Sequence, residues 1–173
     1  MVTMSILTLQ NTVNSQLPVD FNPNSRVWIY QADRVFTHAE SAEIKELLTH
    51  FVDQWNTHGD KVKGFANVFF DRFVVFMADE TNFSVSGCST DSSVRVIKSI
   101  EEKYKVGMFN RQLLVFMIDG LFTEISLAEV SSSIQSNLIN EHTHFFDNTI
   151  LTKQEFESKW INQLKDSWLK VKI

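Results

Sequence analysis

The residues best equipped for chemistry lie in one stretch, Ser86-Gly87-Cys88-Ser89-Thr90-Asp91-Ser92-Ser93-Val94-Arg95, which holds the only cysteine. A thiolate, not a thiol, is the nucleophile, and the partial positive charge of a helix N-terminus favours it. The pattern after this stretch predicts a helix over Asp91–Tyr104, capped by Thr90 or Asp91. Cys88 would then stand about three residues ahead of the helix, with Arg95 one turn inside it. Ser89, Ser92, Ser93 and Arg95 form a candidate anion or small-molecule site, supplying hydroxyls, N–H groups and a positive charge. A plainer account competes: Gly87 turns the chain, the Ser/Thr/Asp run caps the helix, and Cys88 is a small buried side chain.

The phosphate loop of cysteine phosphatases also places cysteine and arginine around such a turn. Here six residues separate Cys88 from Arg95, one too many. Asp91 would repel phosphate, and the intervening residues include no glycine. That chemistry is set aside. A cysteine nucleophile still needs a base, and His58 in Trp55-Asn56-Thr57-His58-Gly59 is the candidate. His58 equally suits the C-terminus of a preceding helix, with Gly59 as its stop signal. His38 and His50 read as helix-surface residues. His142 and His144 would share one side of a strand, but two imidazoles fall short of a structural zinc set, so no metal site is assigned. Asp79, Glu80 and Asp119 end strands and read as turn residues.

Composition narrows the classes. A chain of 173 residues can bury a core without staples, and 15 Phe with 4 Trp make that core aromatic. The net charge of -5, without a dense Lys/Arg cluster, argues against nucleic acid as partner. One cysteine cannot form an internal disulfide, which suits a reducing compartment such as the cytoplasm. The first residues lack the basic start of a signal peptide, and no apolar run reaches membrane-spanning length.

The positioning elements follow from periodicity. Residues 1–25, polar around Pro18 and Pro23, read as an extended lead-in, and 26–173 as a single α+β domain. Arg26–Gln31 is β-prone. Thr37 and Glu40 form a capping box for a helix with Ile44, Leu47, Leu48, Phe51, Val52 and Trp55 on one face. Ala66–Asp79 reads as one strand with a bulge or bend at Asp71-Arg72, followed by a short strand at Phe83–Ser86. Gln112–Ile118 and Leu121–Ile125 form a hairpin over Asp119-Gly120. Ser126–Glu129 opens a further helix, and His144–Ile150 reads as a last strand. Thr152–Glu155 opens a C-terminal helix with Phe156, Trp160, Ile161, Leu164 and Trp168 inward. Phe76–Asp79 and Phe116–Asp119 echo one another, either as a duplicated ββα unit or by chance. The order implies an antiparallel sheet flanked by helices, ferredoxin-like or profilin/roadblock-like.

WNTHGDKVKG, FVVFMADE, SGCSTDSSVR and FFDNTILTKQEFESKW together resemble a family of small uncharacterised bacterial proteins typical of the Bacteroidetes group. Some carry the label "ABC transporter ATPase". The resemblance runs from about Arg26 to Trp168 and implies no established activity, so it brings no catalytic residues. A P-loop needs a glycine-rich turn ending in Gly-Lys-Ser/Thr. Gly59 and Gly64 bracket Asp60-Lys61-Val62-Lys63, but Phe65 follows, so that label has no support in the sequence.

The expectation is a cytoplasmic domain that binds a small molecule or a protein, with its site at the Cys88 loop and no cofactor implied. The alternative is a thiol-dependent acyl-transfer or hydrolytic enzyme, with Cys88 as nucleophile and His58 as base.

Overall fold

A computed structural model describes residues 5–82 and 84–172. In chain order the elements are α1 (Ile6–Asn14), β1 (Arg26–Gln31), α2 (His38–Gln54), β2 (Asn56–Thr57), β3 (Asp60–Lys61), β4 (Lys63–Phe69), β5 (Phe73–Asp79), α3 (Gly87–Tyr104), β6 (Leu113–Ile118), β7 (Leu121–Ser126), α4 (Val130–Gln135), β8 (His144–Phe146), α5 (Lys153–Lys159) and β9 (Ile161–Gln163). The protein is mixed α+β, with antiparallel strands and helices beside them. Contacts gather in two compact units. One unit holds residues 18–110 and 151–154; the other holds the remaining residues.

In the first unit, β5 is central, between β1 and β4. All seven of its residues are buried. The capping box at α2 forms as the sequence predicts: Thr37 accepts from the Glu40 N–H, and Glu40 accepts from the Thr37 N–H. Ile44 and Leu48 of α2 and Ile97 and Ile100 of α3 are fully buried in one core with Phe76, Val74 and Ala78 of β5. Trp55 joins this core, its ring edge-on to Trp28 and Phe76. Gly64 makes room for it, because a Cβ there would meet Trp55 Cε3 at 2.6 Å. Residues 151–154 return along β1: the Val27 N–H donates to the Leu151 carbonyl, and the Lys153 N–H to that of Ser25.

The expected bend at Asp71-Arg72 is a full reversal. β4 and β5 pair from Lys63↔Asp79 to Phe69↔Phe73, and Phe70 and Asp71 take positive φ values of 53° and 49°. The sequence hides this turn because it places no glycine or asparagine there. Arg72 instead braces it, its buried guanidinium donating through Nε to the Ala32 carbonyl.

In the second unit the sheet order is β7-β6-β8-β9. The β6–β7 hairpin turns on Asp119-Gly120 as predicted, both with positive φ. Phe116 stacks on Phe145, and Phe156 on Trp160. Two expectations change here. The lead-in contains a helix, α1, because Ser5 caps it and Leu9 and Val13, four apart, are both buried. The C-terminal helix ends at Lys159. Ile161–Gln163 leave the helical course to pair with β8, and short 3-10 turns follow at Leu164–Asp166 and Trp168–Lys172.

Candidate functional site

The connection from β5 to α3 carries the site. β5 stops at Asp79, whose carboxylate is buried among donors. Its Oδ1 accepts from the N–H and hydroxyl of Thr81, and its Oδ2 from the Asn22 N–H and the Lys63 ammonium, the latter at 3.1 Å. Burial alone would raise the Asp79 carboxyl. The bonds from Thr81, Lys63 and Asn22 outweigh it and hold the group at about 2. Lys63 also reaches Asp20 at 3.1 Å and lies 5.0 Å from the centre of the Phe21 ring. The contacts with Asp20 and Asp79 push its ammonium above the usual lysine range. Glu80 then folds the loop back, its Oε1 accepting from the Val85 N–H at 2.7 Å.

Ser86 ends the loop as the N-cap of α3, accepting from the Ser89 N–H. The helix therefore starts at Gly87, four residues before the expected Asp91. The serine run misleads because its hydroxyls bond back to the helix itself: Ser92 to the Ser89 carbonyl, and Ser93 to that of Thr90. Ser89 points elsewhere. Its hydroxyl donates to the Asn56 carbonyl at 2.7 Å, while its own carbonyl accepts from Trp55 Nε1. Thr57 completes the fastening, accepting from the Ser86 N–H and donating to the Ser84 carbonyl. The β2–β3 hairpin is thus tied to the start of α3.

His58 is not a helix terminator. α2 ends at Gln54, and His58-Gly59 form the hairpin turn, with φ of 49° and 94°. Both uses of such residues need a left-handed backbone, which is why the sequence confuses them. The expected strand at 83–86 does not form over 84–86, where the chain is a loop; Phe83 lies outside the described residues.

Three recesses line this connection and share walls. The largest, about 410 Å³, is bounded by Thr57, His58, Asp60, Asn82, Ser84, Val85 and Ser86. The second, about 330 Å³, lies against Phe21, Lys63, Asp79 and Asn82. The third, about 210 Å³, is bounded by Asn22, Asn24, Ser25, Asp79, Glu80 and Thr81. Asn82 is common to the first two, and Asn22, Asp79 and Thr81 to the last two, so the recesses form one groove.

His58 and the cap of α3 therefore meet in one recess. Cys88 is exposed in the first turn of α3, and the lining of that recess does not include it. Ser89 and Ser93 are buried, Ser92 is half-buried, and Arg95 is exposed farther along the helix. His142 sits in a turn beside Glu141, while burial of His144 lowers its imidazole. Among the described residues, no group of three or more His, Cys, Asp and Glu side chains is placed to hold a metal. None of the described helices is long and apolar enough to cross a membrane. The sequence reading missed Asn22, Lys63, Thr81 and Asn82. The available signal was Asp79-Glu80-Thr81, an aspartate two residues ahead of a hydroxyl that can close onto it.

Comparison of the chain with protein-family models, with curated proteins and with solved structures gives no match.

Proposed function

We propose that this protein is a binding domain whose ligand site is the groove along residues 79–82 and 84–86, ending on the cap of α3. One observation carries the reading. The largest recess is walled by residues whose backbone is locked by the Ser89–Asn56 and Thr57–Ser86 hydrogen bonds, so the site is organised before any ligand arrives. The ligand is small and polar, matching walls made of hydroxyl, amide, imidazole and carboxylate groups. A lone exposed thiol supports a reducing, cytoplasmic setting. The resemblance to the small bacterial family remains part of this proposal and brings no activity with it.

The thiol-enzyme reading has less support, since Cys88 stands outside the recess that His58 lines. A screen of small polar fragments by amide NMR tests the proposal. Binders are expected to shift Thr57, Asn82, Ser84 and Ser86, and His58→Ala is expected to weaken them. Cys88→Ser should leave them unchanged. Binders that shift only residues outside the groove would overturn the proposal, and saturable alkylation of Cys88 well below pH 8 would favour the enzyme.

A further inference from the structure

We draw no further inference here: the strongest candidate, the recess beside the β2–β3 hairpin bounded by His58, Asp60 and Asn82, belongs to the site already described, and none of the buried polar groups left unpaired among the described residues lines it to name a ligand.

Discussion

Replacing Asp79 by asparagine tests whether its carboxylate organises the groove. The side chain is 6% exposed and accepts from Asn22, Lys63 and both donors of Thr81. Its carboxyl lies at about 2 against an ordinary 3.8. At roughly 1.4 kcal/mol per pH unit, that difference corresponds to about 2 kcal/mol of folding free energy tied to ionisation. The folded state favours the charged form, so the contribution is complete above pH 3.8. It fades as the pH falls towards 2. Asparagine keeps the shape but turns an amide N–H towards groups that are themselves donors. Leaving one such group unsatisfied costs about 1–3 kcal/mol more. Urea unfolding near pH 7 should therefore show Asp79→Asn destabilised by about 3–5 kcal/mol, with the gap to wild type closing by about 2 kcal/mol near pH 2. A loss below about 0.5 kcal/mol, or a gap independent of pH, would refute the account of Asp79 as a filled acceptor.

Other substitutions probe different parts of the fold. Gly64→Ala should cost about 1–3 kcal/mol, since its Cβ would press on the buried ring of Trp55; an unchanged urea midpoint would deny that close approach. Ser86→Ala should cost about 1 kcal/mol by uncapping α3, with amide exchange rising first at Ser89; unaltered exchange there would count against the cap. Burial holds His144 below its ordinary 6.5, so the fold resists its protonation. Stability should accordingly drop as pH falls below 6.5, and His144→Gln should flatten that part of the profile; an identical slope in the variant would show that other groups cause it.

Where a residue type has one structural use, the sequence is legible. Thr37 with Glu40 marks the start of α2, and Asp119-Gly120 marks the β6–β7 turn. Where one chemistry serves two structures, it is not. His58-Gly59 suits a helix end as well as a hairpin. Trp160, Ile161 and Leu164 keep a helical period that pairing of β9 with β8 overrides. Phe70 takes a left-handed backbone that aromatic residues rarely adopt, so composition gives no warning of the β4–β5 turn. The site is harder still, because its partners are far apart in sequence: Asn22, Lys63 and Asp79 meet only through the sheet.

The repeat suggested by Phe76–Asp79 and Phe116–Asp119 dissolves in the fold: Asp79 ends the second strand of its hairpin, and Asp119 follows the first strand of its own. A different likeness takes its place. At the end of β8, the buried Asp147 accepts from the N–H and hydroxyl of Thr149 on one oxygen, just as Asp79 does from Thr81. Each pair gives a strand end an acceptor where the ladder stops, and so turns the backbone without leaving it unpaired. The long-range donors differ. The Trp168 indole N–H reaches the same Oδ1 of Asp147 that Thr149 occupies, while Oδ2 of Asp79, the oxygen Thr81 leaves open, gathers Asn22 and Lys63 around a groove. The same short turn can therefore close a fold or wall a site, depending on which long-range donor reaches its carboxylate. By that logic the hydroxyl of Ser89 serves the scaffold: it ties the β2–β3 hairpin to α3, while the thiol beside it faces solvent.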